Sequence, residues 1–237
     1  MLKVYKSPES LLSALADFIV AKSAKAISSE GRFNFVLSGG SSPKKLYELL
    51  TSNDYQKKIE WKNVYFFFGD ERYVPHDHAD SNFLMAKKSL FDPLKIADDH
   101  VFAIDTTLSP QDSAKAYEQS IRDHFGGPCK FYLILLGLGD NSHTASLFPH
   151  TPVLHEKISL VAGLYIEEVK MNRITFTAPL INMAHSIAFL VYGAGKAEAV
   201  HHILKDPTNI AEYPAQLIKP SDGELLWFLD EAAAKFI

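Results

Sequence analysis

Apolar runs bounded by polar turns recur along the chain and predict alternating strands and helices. Short continuous apolar runs are typical of strands buried on both faces of a sheet, whereas apolar residues spaced three and four apart are typical of packed helices. The predicted strands cover residues 2–6, 33–37, 64–68, 101–104, 131–136, 158–161, 173–177 and 186–192. This alternation predicts an α/β fold with a mostly parallel sheet and right-handed crossovers.

Capping residues predict where the helices begin. Ser7 is a suitable N-cap because Pro8 fits the first helical position and Glu9 complements the positive end of the helix dipole. This first helix is predicted to end near Gly31. The other predicted helices begin at Ser42–Pro43, near 80–82, at Ser109–Pro110, at Pro179, at 197 and at 232.

Composition places the chain among ordinary globular proteins. Its 237 residues are 47% hydrophobic and 22% charged, which is ample for a large core. We expect one domain over residues 1–237, and a small packed subdomain formed by part of the chain stays open as an alternative. The net charge of -4 gives no support for nucleic acid or an anionic membrane as a partner. Any anion site must therefore be local.

The cysteine count and the lack of long apolar runs bear on location. Cys129 is the single cysteine, so an internal disulfide is excluded and a reducing compartment fits. No stretch has the apolar length of a signal peptide or of a membrane span of about 20 residues. We therefore expect a cytoplasmic protein.

A glycine-rich turn follows the apolar run at 131–136 and delivers several polar side chains. Gly137 and Gly139 allow a sharp turn, and His143 lies among polar neighbours after them. Ligands of open α/β sheets bind beyond the carboxyl ends of the strands, and histidine exchanges protons near neutral pH. His143 is thus a candidate general base; the alternative is a solvated loop histidine.

The loop 38–43 has the features of a phosphate site. It lies between a predicted strand and a predicted helix, and Gly39, Gly40 and Ser41 would expose backbone N–H groups at the helix N-terminus. The spacing matches neither a P-loop nor a dinucleotide fingerprint. A plain strand–helix turn is the alternative.

A charged triplet follows the strand at 64–68. Arg72 could grip a phosphate or carboxylate, and Asp70 could orient Arg72 or a catalytic group; a surface ion pair is the alternative. His76 and His78 resemble a metal-binding tract, but two histidines on a polar loop are weak support, and we predict no metal.

Lys196 follows the strand at 186–192. An ammonium at a helix start opposes the helix dipole, so a bound anion could hold it there. An exposed lysine is the alternative.

Four stretches together resemble the 6-phosphogluconolactonase family. They are Ser38-Gly39-Gly40-Ser41-Ser42-Pro43, Gly69-Asp70-Glu71-Arg72-Tyr73-Val74-Pro75 with Ser81-Asn82, His143-Thr144-Ala145-Ser146-Leu147-Phe148-Pro149, and Gly193-Ala194-Gly195-Lys196. Their order and spacing fit, and the resemblance covers essentially the whole chain. The stretch that begins at His143 is highly specific. Glucosamine-6-phosphate deaminases instead resemble His-Ile-Ala-Phe-Asn-Glu-Pro at these positions.

The resemblance implies a fold, a reaction and a set of residues. It implies a Rossmann-like three-layer fold shared with glucosamine-6-phosphate deaminase and ribose-5-phosphate isomerase. It also implies hydrolysis of 6-phosphoglucono-1,5-lactone in the oxidative pentose phosphate pathway, with no cofactor. We expect a monomer or weak oligomer. The catalytic candidates are His143 as general base and Asp70. The substrate-binding candidates are Gly39, Gly40, Ser41, Arg72, Asn141, Ser142, Arg173 and Lys196.

The chain departs from the family pattern Gly-x-Gly-x-Asp-Gly-His-Thr at two positions. Asn141 replaces the usual Asp and Ser142 replaces the usual Gly, while Asp140 lies one position early. A carboxylate beside the histidine would raise its pKa and fix its tautomer, whereas Asn141 supplies no charge. Three hypotheses stay open: an active lactonase, a deaminase-like isomerase, and a sugar-phosphate-binding module with little turnover.

Overall fold

A seven-stranded, entirely parallel sheet forms the centre of the computed structural model, which describes residues 1–237. Its strands are β1 (Leu2–Tyr5), β2 (Phe33–Leu37), β3 (Val64–Phe68), β5 (Val101–Phe102), β6 (Leu133–Leu136), β9 (Ser186–Val191) and β10 (Glu224–Asp230). Their order across the sheet is β1-β10-β9-β6-β2-β3-β5. The chain proceeds outward from β2 to β5 and then returns through β6 to the other side of β2. The carboxyl ends of β2 and β6 therefore lie side by side at the topological switch point.

A second, antiparallel sheet consists of β4 (Asp70–Arg72), β7 (Val161–Ile166) and β8 (Met171–Phe176). Its strand order is β4-β8-β7. Backbone hydrogen bonds tie it to the end of β3, because Phe176 N–H donates to the Gly69 carbonyl over 2.7 Å. The strand predicted at 158–161 lies at 161–166 instead, since Ile158 is exposed and only the later residues pair with β8.

Seven α-helices surround the sheets. They are α1 (Pro8–Glu30), α2 (Ser41–Leu50), α3 (Asn82–Ala86), α4 (Asp92–Leu94), α5 (Pro110–Phe125), α6 (Ala178–Asn182) and α7 (Ala197–Leu204). A π-helical turn, Lys87–Phe91, joins α3 to α4, and short 3-10 turns occupy Trp61–Asn63, Asp98–His100, Pro152–His155, Ala194–Lys196 and Pro214–Leu217. The predicted caps Ser7, Ser81 and Ser109 each accept a backbone N–H at their helix start.

Two predicted helix features are wrong. Helix α2 begins at Ser41 with Gly40 as N-cap, so Ser42 is not the cap. Residues 232–234 form hydrogen-bonded turns rather than a final helix. There the carboxylate of Asp230, the last residue of β10, accepts the Ala233 N–H over 2.8 Å.

One cluster of 59 buried apolar residues joins both sheets and the helices packed on them. The strands β2, β6 and β9 are buried along their full length, which explains why their sequences are apolar apart from Asn34 and Ser186. None of the helices is both long enough and apolar enough to cross a membrane.

Candidate active site

A cavity of about 520 Å³ lies at the switch point, over the carboxyl ends of β2, β6 and β9. Its wall is completed by β4, β8 and the β7–β8 turn of the second sheet. Nine of the ten predicted site residues line it: Gly39, Gly40, Ser41, Asp70, Arg72, Asn141, His143, Arg173 and Lys196. The tenth, Ser142, is buried and lies outside the lining.

His143 is held on two sides in this cavity. Its ring stacks on Phe148 with 3.9 Å between centroids, and its Nδ1 lies 2.5 Å from the Asn141 Oδ1. A Cβ at Gly139 would lie 2.1 Å from this Nδ1, so only glycine leaves room for the ring. These contacts occupy one ring nitrogen and leave Nε2 free of protein partners.

Asn141 joins His143 to a carboxylate. Its Nδ2 donates to both carboxylate oxygens of Glu168, each at 2.9 Å. Glu168 belongs to the β7–β8 turn and lines the cavity. Asn141, which was predicted as a substrate-binding residue, therefore contacts the candidate base directly.

The electrostatic surroundings of His143 favour its neutral form. Burial lowers the pKa of His143 to about 4, and the cations Lys196 and Arg173 act in the same direction, while Asp70 and Asp140 oppose them. A neutral imidazole with a free Nε2 is the form that can accept a proton.

The loop after β2 exposes backbone donors to the cavity. Gly40 has φ 104, a conformation that glycine adopts without strain, and the N–H groups of Gly40, Ser41 and Ser42 donate to no protein acceptor. A Cβ at Gly39 would lie 2.0 Å from the Asn82 Oδ1. Asn82 packs there while its Nδ2 donates to the Asp70 carbonyl over 2.9 Å. The start of α2 is thus an anion-binding arrangement.

Two arginines face each other across the second sheet. Arg72 and Arg173 are direct register partners in β4 and β8, an arrangement that is destabilising for like charges. Arg72 donates to the Asp80 carbonyl over 2.7 Å, and the buried Nε of Arg173 has no acceptor. Burial lowers the pKa of Arg173; Asp70 opposes this effect and Arg72 adds to it. An anion between the two guanidiniums would relieve both costs.

The other members of the charged triplet have separate tasks. Asp70 accepts the Ser146 hydroxyl over 2.7 Å, which ties the second sheet to the loop that carries His143. Glu71 is 1% exposed and accepts the backbone N–H groups of Arg72, Asn82 and Phe83. It therefore anchors the start of α3 and forms no ion pair with Arg72.

Lys196 lies 2.6 Å from the carboxylate of Asp140. Asp140 does not take the place of a carboxylate at position 141, because it faces the lysine and makes no hydrogen bond to His143.

The histidines of the 76–78 tract both have protein partners. His76 Nε2 lies 2.7 Å from the Ile104 carbonyl, and His78 Nδ1 accepts the Asp80 N–H.

Sequence reasoning missed four contributors to the site: Asn82, Ser146, Phe148 and Glu168. Ser146 and Phe148 lie within the specific stretch that begins at His143, so their spacing from the base was a usable signal. Glu168 lies 27 residues beyond Asn141 on an exposed polar turn, and no local pattern indicates its role.

Comparisons with known proteins find relatives that match nearly the whole chain. A family profile described as "Glucosamine-6-phosphate isomerases/6-phosphogluconolactonase" matches residues 6–227. A 6-phosphogluconolactonase of Nostoc sp. is 40% identical over 237 residues, covering 98% of this chain and 95% of that protein. The solved 6-phosphogluconolactonase of Trypanosoma cruzi is 29% identical with a TM-score of 0.89, covering 99% of this chain and 95% of the other. The structure of a monomeric glucosamine-6-phosphate deaminase is 18% identical with a TM-score of 0.85, and the superposition covers 100% of this chain and 99% of the deaminase chain. The predicted Rossmann-like α/β class is confirmed.

Proposed function

Because this chain belongs to the family of glucosamine-6-phosphate isomerases and 6-phosphogluconolactonases, we propose that it hydrolyses 6-phospho-D-glucono-1,5-lactone with His143 as the general base. The product is 6-phospho-D-gluconate, and the reaction belongs to the oxidative pentose phosphate pathway. The observation that carries the catalytic role is the free Nε2 of a neutral His143 in a cavity that also offers anion-binding groups.

The 6-phosphate fits the cationic part of the cavity. The N–H groups at the start of α2, the pair Arg72 and Arg173, and Lys196 all line it, and a phosphate dianion can accept from each of these donors. On binding, Lys196 would leave its ion pair with Asp140 and pair with the phosphate instead. Anchoring the phosphate fixes the reacting carbonyl carbon relative to His143, which lowers the entropic part of the barrier.

Hydrolysis then requires one proton shuttle. Nε2 of His143 takes a proton from water as the water oxygen attacks C1, and the lactone carbonyl becomes an oxyanion. The backbone N–H groups of Asp140 and Asn141 donate to no protein acceptor and are candidates to stabilise this charge. The tetrahedral intermediate collapses as the bond from C1 to the ring oxygen breaks, and the imidazolium returns the proton to that oxygen.

The residue at position 148 favours the lactonase over the deaminase. The deaminase stretch described above has Glu at the position that Phe148 occupies here. Phe148 stacks on the His143 ring and provides no carboxylate for proton transfer in aldose–ketose chemistry. The deaminase whose structure resembles this chain supports the fold alone.

We also propose that residues 1–237 act as one lactonase domain in the cytoplasm, as a monomer or weak oligomer. The single buried cluster that spans both sheets supports one domain, and the single buried Cys129 fits a reducing compartment. Light scattering of the purified protein tests the association state.

The direct test is lactone consumption. Glucose-6-phosphate dehydrogenase generates the lactone in situ, and its loss is followed above the spontaneous rate with wild type, His143→Ala and the exposed control His155→Ala. We expect acceleration by wild type and the control, and a loss of about 10²-fold or more in kcat for His143→Ala.

Two results would change the assignment. Wild type that binds 6-phosphogluconate without accelerating hydrolysis would identify a binding module, and ammonia release from glucosamine 6-phosphate would identify a deaminase.

A further inference from the structure

We propose that Glu168 is a positioning residue for His143 and acts on it through the side chain of Asn141. The inference rests on the proposed function, in which His143 is the base. It assigns a task in the reaction to a turn of the second sheet that carries no recognisable motif.

The direction of each hydrogen bond in this chain of contacts follows from chemistry. A carboxylate can only accept, so the Asn141 atom that faces both oxygens of Glu168 at 2.9 Å is the donor Nδ2. The acceptor Oδ1 then faces His143. It accepts a hydrogen bond from the His143 backbone N–H over 3.2 Å and lies 2.5 Å from Nδ1 of the ring. His143 must therefore carry its proton on Nδ1, which leaves Nε2 unprotonated and able to take a proton from water.

Glu168 is the carboxylate that reaches the base through hydrogen bonds. Asp140 is paired with Lys196, and Asp70 is bonded to Ser146. Glu168 itself has no cation within ion-pair distance, and both of its oxygens accept from the Nδ2 amide group of Asn141. Its negative charge polarises the Asn141 amide and so strengthens Oδ1 as an acceptor. The imidazolium that forms during the reaction is stabilised by the same polarisation.

The second sheet places Glu168 at this position. Residues 167–170 connect β7 to β8, where Ile166 pairs with Met171. The turn is closed by a hydrogen bond from Lys170 N–H to the Glu167 carbonyl, and Lys170 has φ 48. Because β8 also pairs with β4, the same three-stranded sheet positions Arg72, Arg173 and Glu168 relative to one another.

Several charged groups act on the His143 ring, so a substitution that tests Glu168 must leave the others unchanged. Asp70 and Asp140 favour the imidazolium, Lys196 and Arg173 disfavour it, and Glu168 acts from behind Asn141. Glu168→Gln keeps the size and an acceptor oxygen but removes the charge and the requirement that Nδ2 faces position 168. Its neighbour Glu167 is exposed and its side chain makes no hydrogen bond, so Glu167→Gln is the matched control.

The first experiment measures lactone hydrolysis and the His143 tautomer in the same variants. We expect Glu168→Gln to lower kcat about 3- to 10-fold with KM nearly unchanged, given that an exposed charged contact is partly screened. The ¹⁵N shifts of the ring nitrogens at pH 7 should show a larger Nε2–H population in Glu168→Gln, while Glu167→Gln matches wild type in both measurements. An unchanged tautomer in Glu168→Gln would overturn the inference, whether or not kcat falls.

A double-mutant cycle with Asn141→Asp separates relay from simple packing. In Asn141→Asp a carboxylate contacts His143 directly and faces Glu168 without a donor between them. Glu168→Gln should therefore raise kcat in that background, the opposite of its effect in wild type, because the glutamine amide can donate to Asp. Equal losses in both backgrounds would contradict the relay.

The two proposals fail in different ways. If wild type shows no lactone hydrolysis, the proposed function fails, while the tautomer measurement still decides whether Glu168 controls His143. If wild type hydrolyses the lactone and the tautomer ignores Glu168, only the relay fails.

Discussion

At the scale of single residues, the surroundings of His143 determine how the base behaves. Burial and two nearby cations hold its pKa at about 4 in the free protein. In the binding mode proposed above, 6-phosphogluconate would bring its phosphate to Lys196 and Arg173 and its carboxylate to the His143 ring. Opposite charge within a few ångströms favours the charged form, so binding should act against the causes that lower this pKa.

The first prediction concerns that pKa. We expect it to rise by about 1 unit or more when 6-phosphogluconate saturates the protein, as measured by NMR titration of the His143 ring. The exposed His155 serves as an internal reference. A pKa that stays constant or falls on binding would place the ligand's anionic groups elsewhere.

The second prediction concerns backbone strain next to the base. Ser142 is 2% exposed and has φ 66, a conformation that costs non-glycine residues about 1–2 kcal/mol. Glycine avoids this cost but loses more chain entropy on folding, so Ser142→Gly should raise the free energy of unfolding by up to about 1 kcal/mol. Urea denaturation measures it. Ser142→Ala keeps the strain and should bring no gain; equal stabilisation by both variants would point to the hydroxyl instead.

At the scale of elements, local signals predict the helices and strands that local interactions define. Ser7-Pro8 and Ser109-Pro110 mark the starts of α1 and α5, and the strands β2 and β3 coincide with their apolar runs. The start of α2 was misplaced because Gly40, with no side chain to accept a hydrogen bond, is its N-cap.

Elements defined by distant partners were harder to predict. β4 is a strand because it pairs with β8, about a hundred residues later in the chain, and its polar sequence gives no strand pattern. The same holds for the site: the strand-end residues were predictable because parallel strands bring their carboxyl ends together. Glu168 enters from an antiparallel turn to which this rule does not apply.

The third prediction concerns the join between β4 and α3. Glu71 is buried and accepts three backbone N–H groups and the Ser81 hydroxyl; burial raises its pKa against the lowering effect of these bonds. Glu71→Ala leaves the donors unpaired and should cost about 2–4 kcal/mol in urea unfolding. Glu71→Gln keeps an acceptor and should cost less. Equal costs would indicate that loss of the carboxylate charge, which both variants share, outweighs the additional loss of packing and of acceptor atoms in Glu71→Ala.

At the scale of the whole molecule, acid stability depends on histidines that fold in the neutral form. His124 packs among Phe67, Phe102 and Phe125, and burial, aided by Arg32, lowers its pKa to about 4. The unfolded chain takes up this proton near pH 6.5. The free energy of unfolding therefore has its full value above about pH 6.5. It declines as the pH falls toward 4, because in this range the unfolded chain binds the proton and the folded chain does not.

The fourth prediction follows from this window. Between about pH 6.5 and 4, His124→Gln should reduce the pH-dependent loss of unfolding free energy by about 1–3 kcal/mol, as measured by urea denaturation at a series of pH values. The amide can still donate to Asn34 Oδ1, the contact that His124 makes over 2.9 Å. His143 contributes to the remaining slope in the same direction. A slope identical to that of wild type and of His155→Gln would exclude His124 as a cause.

The facing arginines of the second sheet have a consequence for the lifetime of the protein. Arg72 and Arg173 are like-charged register partners, so a sugar phosphate bound between them, as we propose, would stabilise the folded protein as well as serve as substrate. At 100 times its dissociation constant such a ligand adds about 2.7 kcal/mol to stability. Thermal melting should therefore rise with 6-phosphogluconate more than with an equal concentration of gluconate. In a cell, supply of the metabolite would then slow proteolytic turnover of the enzyme that consumes its lactone.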